Sequence, residues 1–468
     1  MQENKDTTAK NWALGLTSLA SFMMALDAMV ITTAFATIRS EFGASVETLQ
    51  WTVNAYNLTF AVLLLTGAAL GDRFGRRRMF AAGIALFVVA SAACALAPSV
   101  GWLIISRGAQ GAGAALVMPL AMAILSGAFG REERARALGI FSGVTGCALI
   151  IGPAVGGFLT ATLGWRFIFW INLPIGLILI ALVTARLRES FGPPARLDII
   201  GLALVAASAL TLVWGQIRGN QLGWASGEVI GALALGVLFA LAFVTFERRS
   251  DAPPMIPMRL FALRPFAAGV ISSFLFYAAM YGTLFLLPQF LQAAFGAGPL
   301  GAGLRLLPWT STLFLTAPVA GAAVQKFGER MLVVTGLLMQ AAGLGWIALE
   351  VMAGTTYAAM VAPAILAGVG VSMAMPAAQN AVLSSVAVTE MGKASGVFNM
   401  GRFLGGMFGV ALLVAVFSAH GAADTPAHFA NGFAATMIVA AMLSLFAALA
   451  GAFLPARRPV TQLKPQQA

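Results

Sequence analysis

Hydrophobic residues along this chain come in runs of about 20, separated by short polar gaps. The runs lack both the alternation of a half-buried strand and the one-sided stripe of a surface helix. Fourteen can be drawn, from residues 12–36 to residues 431–453, including 166–185, 197–216, 226–246 and a tenth at 302–322. Each is long enough to cross about 30 Å of hydrocarbon as a helix. The pattern therefore predicts an all-α integral membrane protein.

Composition removes the competing classes. With 60% hydrophobic and 10% charged residues in 468, and a mean hydropathy of +0.89, a soluble globule would lack polar surface. The formal charge of +11 would suggest a nucleic-acid partner in a soluble protein, but here the basic residues sit in the gaps. Alternating the gaps between two sides, with both termini inside, puts 22 of the 28 Lys and Arg on the inner side. Arg39, Arg166 and Arg218 fall outside, and Arg107, Arg305 and Arg402 within runs. Such a bias is what orients a membrane protein, so both termini are expected on the cytoplasmic side of the cytoplasmic membrane. The first run is longer than a signal-peptide core and is read as a retained span. Cys94 and Cys147 lie inside runs, which argues against a disulfide framework or thiolate metal site. His420 and His428 share a loop without enough acids or cysteines for a metal site, so none is expected.

The chain repeats itself. Gly111-x-Gly113 followed by Met118-Pro119 recurs as Gly368-x-Gly370 and Met375-Pro376. Gly67 to Gly75 is echoed by Gly321 to Gly328, and Ser142-Gly143-Val144 by Ser395-Gly396-Val397. All keep nearly one offset, of about 255 residues, which indicates a parallel duplication. Six spans need less chain than that, and runs seven and eight with their flanks supply the surplus. The expected organisation is 6+2+6: a six-helix bundle over 1–190, an inserted pair over 191–258, a second bundle over 259–455, and a cytoplasmic tail over 456–468. No G-x-x-x-x-G-K-[ST] motif occurs, so transport would draw on an ion gradient rather than bound nucleotide.

A few residues stand out chemically. Asp27 lies deep in the first run, where a carboxylate is costly unless it pairs, faces a cavity or takes up a proton. It reads either as a permanently paired structural acid or as a site of proton or cation binding. Arg107, with Gln110 one turn on, either snorkels to the surface or partners Asp27. Gly152, Pro153, Gly156 and Gly157 combine a missing backbone donor with a smooth face, as a packing motif or a hinge. Asp72 is an acid among Arg73, Arg76, Arg77 and Arg78 near Gly75. Orientation explains the arginines; the acid suggests a latch to the N-terminus of span 13, near Ala394 and Ser395. Asn54, Tyr56, Phe276, Tyr277, Tyr281, Trp309, Asn380, Asn399 and Arg402 are the remaining conspicuous polar or aromatic positions, and with Gln110 they are either packing or lining a cavity.

These stretches resemble the fourteen-span drug:proton antiporter branch of the major facilitator superfamily. The likeness rests on Leu26-Asp27, Gln50 to Tyr56, Leu70 to Arg77, Arg107 to Gly113, Gly152 to Gly157, and Trp165 to Gly176, with Asn399 and Arg402. The chain departs from the family pattern at Met29, Thr32, Ala36 and Ala68. The resemblance implies alternating access, proton coupling through Asp27 and Arg107, a cytoplasmic gate at Asp72 and its loop, and a span-5 motif typical of exporters. It also implies a cargo of hydrophobic, cationic or amphipathic compounds. The expected energy source is a proton gradient, with no cofactor. Expected partners are the cargo, protons and lipid around a monomeric transport unit, with accessory envelope proteins left open. Export of a single metabolite is the alternative. A membrane enzyme would need clustered His, Glu or Asp within spans, which are lacking, and a channel suits the duplication poorly.

Overall fold

The first long helix, α1 (Gln2–Val30), continues through a 3-10 turn (Ile31–Thr33) into α2 (Phe35–Phe42), which Gly43 ends at φ +59°. Then follow α3 (Val46–Phe74), α4 (Arg76–Ala95), α5 (Val100–Ala128), α6 (Arg131–Thr162), α7 (Phe167–Trp170) and α8 (Asn172–Arg186). A hairpin of α9 (Ile199–Leu222) and α10 (Gly227–Arg249) separates these from α11 (Arg264–Phe295), α12 (Pro299–Arg305) and α13 (Leu307–Phe327). The chain closes with α14 (Glu329–Met352), α15 (Tyr357–Leu383), α16 (Met391–His420) and α17 (Pro426–Gly451). This computed structural model describes residues 2–192, 198–249, 258–354, 356–386 and 390–456. The expected tail beyond 456, with residues 193–197 before the inserted pair and 250–257 after it, lies outside the described residues.

Among the described residues, 13 helices are long and apolar enough to cross a membrane, and the protein is a multi-pass membrane protein. The tenth run, expected as one span at 302–322, is divided between α12 and the 21-residue α13. Pro308 lies in the first turn of α13, where its missing N–H is harmless but would have broken a continuous helix. The sixth run is divided for the same reason: Pro174 follows the junction between α7 and α8. Chain entry into helices is marked by side-chain caps, Ser45 Oγ accepting from Thr48 N at 3.2 Å and Ser99 Oγ from Trp102 N at 3.3 Å.

The duplication read from glycine spacing reappears in packing. A Cβ on Gly111 would stand 2.3 Å from the Tyr56 carbonyl oxygen on α3, and one on Gly368 would stand 2.5 Å from that of Trp309 on α13. Gly113 abuts Gly83 and Phe87 on α4, as Gly370 abuts Gly336 and Gln340 on α14. In both copies one G-x-G motif lets three helices approach to backbone contact. The two basic turns match as well, with Gly75 at φ +105° and Gly328 at φ +81°, a region side chains with a Cβ rarely adopt. Between the halves, α3 packs along α16, with the Phe60 and Phe403 rings 4.1 Å apart. The α9 helix lies over that seam through Ala209, Val213 and Ile217 against Met407 and Ala411, and Trp214 meets Trp51.

Candidate functional site

Asp27 on α1 and Arg107 on α5 are each 1% exposed, yet both carry charge-bearing groups. They meet: Arg107 Nη1 lies 2.5 Å from Asp27 Oδ2. The pair is enclosed by a polar collar. Gln110 Nε2 and Asn172 Nδ2 donate to Asp27 Oδ1 at 3.1 and 2.8 Å. Arg107 also donates to Gln110 Oε1 at 2.8 Å and, through Nε, to the Thr52 carbonyl at 3.2 Å. Its guanidinium lies 4.5 Å from the centre of the Tyr56 ring, a cation–π contact. Asn172 is itself fixed by Ser91 Oγ at 3.0 Å, and Ser91 donates to the Phe169 carbonyl at 2.9 Å. The break between α7 and α8 is what brings Asn172 inward. Sequence reasoning passed over Ser91 and treated Asn172 only as part of a motif; a polar side chain beside Pro174 in an apolar run was the available signal.

The cluster borders a central space between the two halves. One compartment, of about 30 Å³, is lined by Met29, Thr32, Tyr56, Asn57, Arg107, Tyr281 and Phe403 among others. A second, of about 20 Å³, shares Met29, Thr32 and Leu284 and is floored by Pro153, Trp309 and Met375. The walls are chiefly apolar, and both compartments are nearly closed in this conformation, with room for little more than water. Tyr281 and Trp309 therefore line the space as expected. Phe276 and Tyr277 sit behind Tyr281, in a row of mutually tilted rings with centroids 4.5 and 6.0 Å apart. Arg402 lies over the Tyr277 ring at 4.8 Å and reaches the Tyr281 hydroxyl at 3.3 Å. Three expected cavity residues are placed elsewhere. Asn380 is exposed and donates to Glu329 at 2.8 Å, because α15 carries it to the basic end of the bundle. Asn399 turns back to the Ser395 carbonyl of its own helix at 2.9 Å. Gln110 belongs to the ion-pair collar. Asn54 is fully buried with neither amide atom hydrogen-bonded.

The span-5 residues meet helix backbones. A Cβ at Gly156 would stand 2.3 Å from the Val30 carbonyl oxygen, and one at Gly157 would stand 2.4 Å from that of Pro299, in the other half. Gly152 faces Met29, and Gly303 on α12 faces the Pro153 carbonyl. With Gln292 Nε2 donating to the Thr33 carbonyl at 3.2 Å and Ser418 donating to Glu47, these contacts join the halves at the end away from the basic turns.

Asp72 departs from expectation. Its carboxylate pairs with Arg76 at 2.8 Å, and its carbonyl accepts from Gly192 N at 3.2 Å, so its hydrogen bonds stay within its own half rather than reaching α16. Glu189 completes the turn, accepting from Arg77 N at 2.8 Å with the Arg77 and Arg78 side chains 3.6 and 3.7 Å away. The pair spans the turn at Gly75, from the end of α3 to the start of α4, so the carboxylate is already satisfied locally. Arg73 is exposed, stacked over Phe74. The α16 segment instead meets α3 at Gly396, packed on Leu65. Among the described residues no cluster of His, Cys, Asp and Glu could hold a metal.

A family model described as Major Facilitator Superfamily matches residues 17–259 and 269–468. The chain belongs to the Major Facilitator Superfamily. This major facilitator is a transporter and not an enzyme. It is 35% identical over 406 residues to the multidrug resistance protein Stp of Mycobacterium tuberculosis (strain CDC 1551 / Oshkosh), covering 86% of this chain and 75% of that one. It is 34% identical to the cephamycin export protein CmcT of Amycolatopsis lactamdurans, over 96% and 93% of the two chains. Among solved structures, a POT family transporter in complex with 5-aminolevulinic acid superposes with a TM-score of 0.70 at 16% identity, covering 95% and 94%. A D-xylose-proton symporter gives 0.68 at 16% identity, covering 95% and 98%, and both show the shared fold.

Proposed function

We propose that this major facilitator exports hydrophobic, amphipathic compounds in exchange for protons, by alternating access of one central cavity. The observation that carries the reading is the buried Asp27–Arg107 pair at the edge of a cavity between two duplicated bundles. A proton on Asp27 cancels the carboxylate charge and weakens its hold on Arg107, which keeps Gln110 Oε1 and the Thr52 carbonyl as acceptors. Proton occupancy thereby changes the shape and charge of the cavity wall, which is how an ion gradient can bias a two-state carrier. The relatives named as multidrug resistance and antibiotic export proteins support the outward direction.

In this reading the chain has fourteen spans arranged 6+2+6, with α13 as the tenth, and acts as a monomer in the cytoplasmic membrane without a cofactor. The basic turns and both termini face the cytoplasm, so the contacts at Gly157, Gln292 and Glu47 shut the outer end. Gly156 and Gly157 are the surfaces on which α6 slides when that end opens. Asp72, Arg76 and Glu189 stiffen the cytoplasmic turn between α3 and α4. Saturable counterflow in proteoliposomes, accelerated by an imposed pH gradient, tests the proposal; flux that neither saturates nor responds to the gradient defeats it. The name of CmcT favours a second reading, export of one dedicated metabolite. A susceptibility screen in which a single compound responds to expression would select it.

A further inference from the structure

The charge inventory of the cavity does not match a cationic cargo. No Asp or Glu lines either compartment, and the buried acid beside them, Asp27, is engaged by Arg107, Gln110 and Asn172. Two arginines stand near the cavity, Arg107 in its wall and Arg402 directly behind the wall residues Tyr281 and Phe403. Arg107 spends its charge on Asp27, whereas among the described residues Arg402 has no ion-pair partner. Its guanidinium rests between the rings of Tyr277 at 4.8 Å and Phe403 at 5.3 Å, and donates one hydrogen bond, to the Tyr281 hydroxyl at 3.3 Å. Arg402 Nε is buried without an acceptor. Aromatic faces hold a guanidinium plane in place but do not neutralise it, and they leave its edge free for a carboxylate fork. A partly buried cation lacking a counter-charge is costly, so a ligand able to supply one is bound correspondingly well. Of the residues it touches, Tyr281 and Phe403 line the central cavity. Across that cavity Asn57 presents an amide nitrogen with no partner, a second free donor.

We propose that Arg402 is the anion-recognition point of this cavity, and that the cargo is an amphiphile with a carboxylate or similar oxyanion on a hydrophobic body. The anion docks against the Arg402 edge, with Asn57 as a further donor, while Met29, Leu284, Phe285 and Val53 receive the apolar body. The inference rests on the central cavity being the cargo site, and it replaces the cationic cargo expected while Asp27 was taken to be free for one.

The test uses the full chain purified in a neutral detergent and three matched probes: dansyl-labelled undecanoic acid, its methyl ester, and the corresponding amine. Equilibrium fluorescence titration should rank the acid about tenfold or more tighter than the ester, the worth of a charge-assisted hydrogen bond or two, with the amine weakest. R402Q should bring acid and ester to within about twofold of each other, and R402K should retain part of the preference, since ammonium keeps the charge without the planar fork. Equal binding of acid and ester by the wild-type protein, or preference for the amine, overturns the proposal without any variant. An unchanged acid preference in folded R402Q overturns it also. Failure of export is separately visible: if no probe moves under a pH gradient in proteoliposomes while the acid preference stands, the antiport reading falls and the anion site does not.

Discussion

Replacing Asp27 by Asn removes one charge and converts one acceptor oxygen into a donor. Asp27 accepts from Arg107, Gln110 and Asn172 at 2.5, 3.1 and 2.8 Å, so either orientation of the new amide sets an NH2 group against at least one existing donor. A mismatched buried hydrogen bond costs about 1–3 kcal/mol. Leaving one member of a buried ion pair alone costs about 3–5 kcal/mol. Arg107 keeps Gln110 Oε1, the Thr52 carbonyl and the Tyr56 ring, which places the total near the lower bound, at about 3 kcal/mol. That should appear as a lower melting midpoint in detergent, with the protein still folded and still inserted. The functional loss should be far larger than the stability loss. Accumulation driven by a pH gradient in proteoliposomes should vanish, while exchange of labelled for unlabelled cargo at equal pH persists, because only the proton step needs an ionisable group. Asp27→Glu, which retains a carboxylate, should recover part of the driven flux. Driven accumulation by Asp27→Asn at the wild-type rate would refute the coupling role of this carboxylate.

Arg107→Lys should not restore driven transport in the same assay, since an ammonium cannot hold Asp27, Gln110 and the Thr52 carbonyl from one planar group; restored flux would count against that geometry. Gly156→Val should slow transport at least tenfold in whole-cell efflux, because even its Cβ would stand 2.3 Å from a backbone oxygen that cannot move aside cheaply; a wild-type rate would show that α1 and α6 need not stay in contact. Tyr281→Ala should change the order of preference among exported compounds in a susceptibility panel, and an unaltered order would remove Tyr281 from the cargo wall. At the far end, burial raises the pKa of Glu41, but hydrogen bonds from Trp165 and Arg166 outweigh it and hold the carboxyl below the usual range. Its contribution to stability is therefore present above the unfolded-state value, about 4.3, and is lost as the pH falls through the lower folded value. Glu41→Gln should flatten the acid limb of a melting-temperature profile, and an unchanged profile would assign that limb to other groups.

Membrane class and duplication were legible because each is periodic or repeated. Runs of about 20 apolar residues have few readings other than spans. The G-x-G pairs recur because a backbone carbonyl lies where a side chain would stand, at Tyr56 in one copy and Trp309 in the other. The meeting of Asp27 with Arg107 was legible from depth alone. What could not be read was the direction in which short polar side chains point. Asn380 and Asn399 looked like cavity residues, yet one reaches Glu329 and the other its own helix, a choice fixed by rotation about the helix axis. Asp72 was assigned a distant partner because the count of arginines concealed that Arg76, across the turn at Gly75, is already in reach. Glu189, in a connector that looked like a mere joint, turned out to fasten the basic turn.

The hairpin of α9 and α10 breaks the twofold likeness of the molecule. It covers the flank where α3 meets α16, while the opposite flank is formed by α6 against α12 and α13, with Ile140, Ile151 and Phe158 of α6 bare. A greasy molecule diffusing in the surrounding lipid thus meets a doubled wall from one direction and a single helix layer from the other. The two flanks of the molecule therefore differ in thickness, and the inserted pair decides which is the thicker.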